Sequence, residues 1–216
     1  MTFGRVVLFL AMMLLLAGAA TAPVAPPVYA AQPSGQEASS FVKSLTDRAI
    51  NTVGAPSLSD AEREERFRQL FLSNFDIEYI ARFVLGRHWR KASVQEQKDF
   101  VKLFEDITVL NWASRFKDYQ GQTLNVTGVK PAPDDEVFVD STVNQKDGPP
   151  VMVAWRLKQG DRGLRVVDLV VEGVSMSITY RSEYSAVLQR SGGDIGGLIG
   201  ALRTKVGEIR GGAAGK

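Results

Sequence analysis

From residue 37 onward apolar side chains recur at helical spacing, and the first run, Phe41, Val42, Leu45, Ala49 and Val53, stops at Gly54 and Pro56. It predicts a helix over 37–53. Ser59-Asp60-Ala61-Glu62 has the spacing of a capping box, in which the serine oxygen accepts from a first-turn amide while the glutamate reaches back. A second helix is therefore expected from Asp60, turning Phe67, Leu70 and Phe71 inward. Asn74 or Asp76 can cap a short third helix with Ile77, Ile80, Ala81, Val84 and Leu85, which Gly86 is placed to close in the left-handed conformation. Ser93-Val94-Gln95-Glu96 is a second capping box and opens a long helix to about Tyr119. That helix carries two apolar stripes, Phe100, Leu103, Phe104, Ile107 and Leu110 on one side and Val101, Val109, Trp112, Phe116 and Tyr119 roughly opposite. It should be covered on both faces, by the helices before it and a sheet after it.

After Gly121 the period changes to two, with candidate strands near 123–129, 136–144, 150–158 and 163–171. The links between them are turn chemistry: Pro131-Ala-Pro-Asp-Asp135, Lys146-Asp-Gly-Pro-Pro150 and Gly160-Asp-Arg-Gly163. Links this short favour an antiparallel meander. Val151, Val153, Trp155 and Leu157 share one face of the third strand, and Val167, Leu169 and Val171 one face of the fourth. A helix holding Tyr180, Tyr184, Val187 and Leu188 follows, then a last one from about Asp194 to Val206 with Ile195, Leu198, Ile199 and Leu202. Helices, a meander of four or slightly more strands, then helices describe an α+β fold.

The amino terminus stands outside this pattern. Arg5 precedes an apolar run from Val6 to Ala20, about fifteen residues against the ~20 of a spanning helix, and Val28-Tyr29-Ala30 offers small residues for cleavage. Residues 1–30 read as a signal peptide, which places the mature chain in the bacterial periplasm. The sequence has no cysteine, which excludes disulfides, a cysteine-borne lipid anchor and cysteine metal sites. Without Arg5 the 26 basic residues become 25 against 24 acidic, a net charge near +1 that implies neither nucleic acid nor a strongly charged partner. Residues 31–210 are expected to form one domain, and 211–216 a disordered tail.

Candidate chemistry is sparse. Gly173-Val174-Ser175-Met176-Ser177 begins like a nucleophile elbow, but Ser177 stands where the second glycine belongs. The single histidine, His88, is the only imidazole base available to such a serine. The other reading is a turn off the strand, permitted by Gly173, with Ser175 and Ser177 bonded to nearby backbone. One histidine makes no histidine-rich metal site, and neither a Walker A loop nor a dinucleotide fingerprint occurs, so no metal, cofactor or catalytic residue is assigned. The acidic runs Glu62 to Glu65 and Asp134-Asp135-Glu136 read as solvated surface. The segment 82–91 gathers Arg82, Arg87, Arg90 and Lys91 around Trp89. These residues either hold a lipid head group, touch a membrane surface or meet a partner, or complement a helix end while Trp89 anchors a loop.

Two stretches together resemble the MlaC family, the toluene-tolerance auxiliary proteins of ABC transporters. One is Phe75-Asp76 with Ile80-Ala81-Arg82-Phe83-Val84-Leu85-Gly86-Arg87-His88-Trp89-Arg90, continued by Phe100 and Phe104. The other is Asp168, Glu172-Gly173-Val174-Ser175 and Tyr180-Arg181-Ser182. The resemblance implies a periplasmic carrier that moves phospholipid between an outer-membrane lipoprotein complex and an inner-membrane ABC transporter with an MCE-type subunit. It also implies a curved sheet, with an apolar pocket for acyl chains between sheet and helices and the head group near solvent. A related branch, HpnM, is associated with hopanoids.

Two acyl chains of roughly fifteen methylenes each, at ~0.8 kcal/mol per methylene, represent about 25 kcal/mol of transfer free energy. A carrier in water must enclose them. The candidate pocket residues are Phe75, Ile80, Val84, Phe100, Leu103, Phe104, Ile107, Trp112, Val153, Trp155, Val167, Leu169, Val171, Val174, Met176 and Ile178, with Arg82, Arg87, Trp89 and Arg90 for a head group or partner. The same apolar pattern would also suit a dry core. A protein-interaction module without ligand and a hydrolase acting through Ser175 are the competing readings.

Overall fold

A computed structural model describes residues 33–214; the expected signal peptide lies outside the described residues. The chain is α+β. Four helices come first: α1 (Gly35–Val53), α2 (Asp60–Asn74), α3 (Ile77–Leu85) and α4 (Val94–Arg115). They are followed by β1 (Thr123–Ala132), β2 (Glu136–Asn144), β3 (Val151–Gly160), β4 (Gly163–Val171) and the two-residue β5 (Val174–Ser175), then α5 (Met176–Arg190) and α6 (Ile195–Ala214). The sheet is an antiparallel meander in the order β1-β2-β3-β4-β5.

The helix starts follow from side-chain chemistry. Ser59 and Ser93 close capping boxes with Glu62 and Glu96, while Asp76, not Asn74, caps α3 by accepting from the Tyr79 amide. Gly86 ends α3 at φ 55° and ψ −127°, a backbone region open mainly to glycine and distinct from the left-handed helix expected there. The last helix runs on to Ala214, past Val206 and into the stretch expected to be irregular. Arg210 explains part of this extension, since it approaches Glu64 at 3.7 Å and Asp106 at 3.9 Å.

Two apolar clusters form. One is helical and holds Phe67 and Phe71 of α2, Ile80, Val84 and Leu85 of α3, Phe100, Leu103, Phe104 and Ile107 of α4, Tyr184 and Leu188 of α5, and Leu198, Ile199 and Leu202 of α6. The other joins Ala38, Val42 and Leu45 of α1 to Val137, Val139, Leu157, Leu164 and Val166 of the sheet. Leu70 and Phe75 pack against both. The long helix α4 packs mainly against α6, α2 and α3 rather than against the sheet.

Charged groups inside the fold are paired. Arg63 is 4% exposed, and its guanidinium donates to the carbonyls of Val53, Ala55 and Leu58, tying the end of α1 to α2. Glu136 is fully buried, contrary to the solvated turn expected: Arg156 binds it and the Tyr79 hydroxyl donates to it at 3.1 Å, whereas Asp134 and Asp135 remain exposed. Arg68 lies between Glu64, Glu105 and Asp106 and so joins α2 to α4.

The corner after β4 answers the elbow question. Glu172 and Gly173 adopt φ 49° and 78°, the two positive values a tight hairpin turn requires, and Val171 pairs with Val174. Ser175 then caps α5, accepting from the Ile178 amide at 3.1 Å while its hydroxyl donates to Asp168 at 2.5 Å. Asp168, 6% exposed, also accepts from the amides of Leu169 at 2.9 Å and Ser177 at 3.0 Å.

Two predictions concern stability. Replacing Arg63 by Met leaves carbonyls at the α1 end without donors and should lower the unfolding free energy in urea by about 2–3 kcal/mol, against about 0.5 or less for exposed Arg66→Met. Equal effects would remove Arg63 from the account. Asp168→Ala strips the partner from the buried Ser177 amide and should cost about 2–3 kcal/mol, while Ser175→Ala loses mainly a helix cap, about 1 kcal/mol. The reverse order would show that the corner is held by something else.

Candidate functional site

Between the two clusters lies an apolar cavity of about 400 Å³. Its helical walls are Leu45, Thr46, Ala49 and Ile50 of α1, Phe67, Leu70 and Phe71 of α2, Ile80 of α3, and Phe104, Thr108, Trp112 and Arg115 of α4. The sheet closes the other side with Leu124, Val143, Val153, Trp155, Leu169 and Val171. Met176, Ser177 and Tyr180 of α5 complete the wall, together with Phe75 in the α2–α3 link. Polar exposed residues gather at one end, where Arg115, Asp118 and Thr123 border the cavity beside Tyr119 and Gln122. That end, between the last turn of α4 and the first residue of β1, is the mouth. The Arg115 guanidinium lies 5.1 Å from the Trp112 ring centre, which holds a cation at the rim.

Regular spacing produces the α4 wall. Phe104, Thr108 and Trp112 succeed each other every four residues, and Phe116 extends the row beyond the helix end. On α5, Met176 and Tyr180 have the same spacing, and the Tyr180 ring meets Phe104 edge-on with centroids 5.5 Å apart. Burial pushes the Tyr180 phenol above its ordinary pKa, so this part of the wall stays uncharged near neutral pH. The Trp155 indole N–H donates to the Ser141 hydroxyl at 3.0 Å, and that hydroxyl donates to the Val153 carbonyl at 2.7 Å, so the ring faces the cavity with its polar atom satisfied.

Of the candidate residues, Phe75, Ile80, Phe104, Trp112, Val153, Trp155, Leu169, Val171 and Met176 line the cavity. The other seven do not. Val84, Phe100, Leu103 and Ile107 are buried in the helical cluster; for the last three the reason is that α4 turns only its Phe104 row towards the opening and packs its neighbours against other helices. Val167 is displaced by a bulge in β4: Arg156 pairs with Asp168 but Leu157 pairs with Val166, so Val167 is the extra residue and leaves the face of Leu169. Val174 and Ile178 are 53% and 56% exposed, since the hairpin and the first turn of α5 carry them outside. Trp89 is only 9% exposed and packs in the helical cluster, which leaves it unavailable as a surface anchor, while Arg82, Arg87 and Arg90 are exposed.

The wall contributed by α1 and α2 was absent from the candidates although its signal was present. Leu45 and Ala49 on the first helix, and Phe67, Leu70 and Phe71 on the second, all have inward spacing. Periodicity identifies an inward face; it does not say whether that face meets side chains or a void. Ser175, for its part, is engaged with Asp168 and the α5 amides, and His88 borders a different cleft. Nothing positions an imidazole to take the serine proton. Among the described residues no group of three or more His, Cys, Asp and Glu side chains is arranged to hold a metal ion, and no helix is long and apolar enough to cross a membrane.

This arrangement has a solved counterpart. A phospholipid-binding protein from Ralstonia solanacearum, determined in complex with a phospholipid, superposes with a TM-score of 0.73 at 26% sequence identity, the match covering 80% of this chain and 98% of that one. Residues 43–204 match the family model described as MlaC protein. By that match, which spans most of its length, the chain belongs to the MlaC family.

Proposed function

We propose that this protein binds a phospholipid with its acyl chains in the cavity and its head group at the mouth beside Arg115, and that it carries the lipid through the periplasm. The cavity is the observation that supports this most: about 400 Å³ bounded almost wholly by carbon, open at one polar end, in a fold shared with a protein solved around a phospholipid. One acyl chain of roughly fifteen methylenes gains about 12 kcal/mol on leaving water for such walls. That is enough to keep a lipid on a carrier between membranes. The partners at the two ends of the route are an inner-membrane ABC transporter with an MCE-type subunit and an outer-membrane lipoprotein complex, and the secretion signal in residues 1–30 delivers the chain to the compartment between them. Binding, not catalysis, is the activity of this site, and the nine cavity-lining candidates are its lipid contacts.

The test is native mass spectrometry with lipid extraction on protein taken from a periplasm without detergent. Phospholipid at close to one molecule per chain is expected. Leu169→Glu places a carboxylate against the acyl chains and should lower occupancy by more than about tenfold, whereas Val174→Glu, at an exposed position, should keep it. Ser175→Ala should retain cargo as well. A hopanoid in the extract would change the cargo class, and an empty protein that refuses added lipid would turn the reading towards a protein-interaction module.

A further inference from the structure

A second cleft, of about 560 Å³, shares no lining residue with the apolar cavity. It forms where the segment after α3 meets α5, and its polar lining includes Arg87, His88, Lys91, Arg181, Ser185 and Gln189. Three of these are cationic. Among the described residues, Arg68, Arg156, Arg203 and Arg210 have carboxylate partners within 4.0 Å, but no such pair involves Arg87, Lys91 or Arg181. The cleft thus brings three cations without a carboxylate partner together on a concave surface whose lining holds no acid.

Two of the three cations, Arg181 and Arg87, have contacts that position them. Arg181 lies with its guanidinium 5.0 Å from the Phe83 ring centre and against Gly86, where a Cβ would come within 3.1 Å of its Nη2. Glycine at position 86 therefore both adopts the positive φ and leaves room for the guanidinium. Arg87 donates from Nε to His88 Nε2 at 3.3 Å, which places the imidazole proton on Nδ1. Nδ1 is buried and has no partner among the described residues. Burial, with Arg87 and Lys91 nearby, holds the His88 pKa below the ordinary imidazole value, so the ring remains a neutral N–H donor.

We propose that this cleft is an oxyanion site of the phosphate class, distinct from the acyl cavity, in which Arg87, Lys91 and Arg181 hold the anion. Guanidinium forks and an ammonium match the several oxygens of a phosphoryl group, which offers more acceptor positions to three separate cations than the two oxygens of a carboxylate do. The phosphate belongs either to a free anion or to a lipid head group presented by a bilayer. Both present anionic phosphoryl oxygens to the cleft, the free anion with up to two charges and the diester head group with one. The inference does not depend on the cargo of the apolar cavity.

The experiment follows the His88 ring by NMR while inorganic phosphate is added to the full mature chain at constant ionic strength. In parallel, cosedimentation is measured with phosphatidylcholine vesicles with and without phosphatidylglycerol. Arg87→Gln, Lys91→Gln and Arg181→Gln are each expected to weaken binding about tenfold or more, and Arg162→Gln, at an exposed turn elsewhere, to leave it unchanged. Saturable phosphate binding alone assigns a free anion; variant-sensitive association with the phosphatidylglycerol vesicles assigns a bilayer head group. Should Arg181→Gln fail to fold, the exposed Arg87 and Lys91 positions carry the comparison. Absent or non-saturable shifts in the phosphate titration together with no phosphatidylglycerol-dependent cosedimentation, or variants that bind as the wild type does, would overturn the site. Lipid content measured on the same variants separates this failure from a failure of the acyl cavity.

Discussion

An apolar space of about 400 Å³ is the constraint around which this protein is built. At roughly 24 cal/mol per Å³ of unfilled volume, an enclosed void of this size would cost about 10 kcal/mol, and the open mouth makes that an upper bound. The whole stability of a domain is typically about 5–15 kcal/mol. A chain that keeps such a space must therefore support its walls from outside, and it gains much by filling the space with something apolar. The arrangement of α4 shows how the first need is met. One row of its side chains faces the cavity while its other faces pack into helices, so α4 is fixed without needing contact across the gap to the sheet.

Polar interactions are placed where they brace those walls. Arg68 reaches from α2 to Glu105 and Asp106 on α4, and Arg63 ties α2 to the end of α1, so three wall helices are fixed to each other. Asp168 fixes the β4–α5 corner from inside by accepting two amides and a hydroxyl. Glu136 and Arg156 do the same at the β1–β2 turn. Each buried charge has partners, which the low dielectric of the interior demands. The serine that resembled a nucleophile is one of these braces.

Much of the fold was legible because its signals are local. Capping boxes at Ser59 and Ser93 give helix starts, and the alternation after Gly121, broken by turn residues, gives the meander. The site was legible only where a single element decides orientation. Trp155, Leu169 and Val171 could be placed by alternation, but Val167 could not, because the β4 bulge depends on pairing with β3 and leaves no mark in the β4 sequence. Phe100 and Phe104 both read as inward from their helix. Which of them meets a void is settled by the position of α5 and the sheet, a tertiary property absent from either residue's neighbourhood.

The most direct measurement is photo-crosslinking with a phospholipid carrying a diazirine near the end of one acyl chain, followed by mapping of the labelled residues by mass spectrometry. If the cavity holds the acyl chain, labels fall on its walls, such as Phe71, Trp112, Trp155 and Leu169, and spare Phe100 in the packed helical core. Labels concentrated on the exposed Leu72, Val174 and Ile178 would instead show lipid adsorbed to the outside, and would contradict the account.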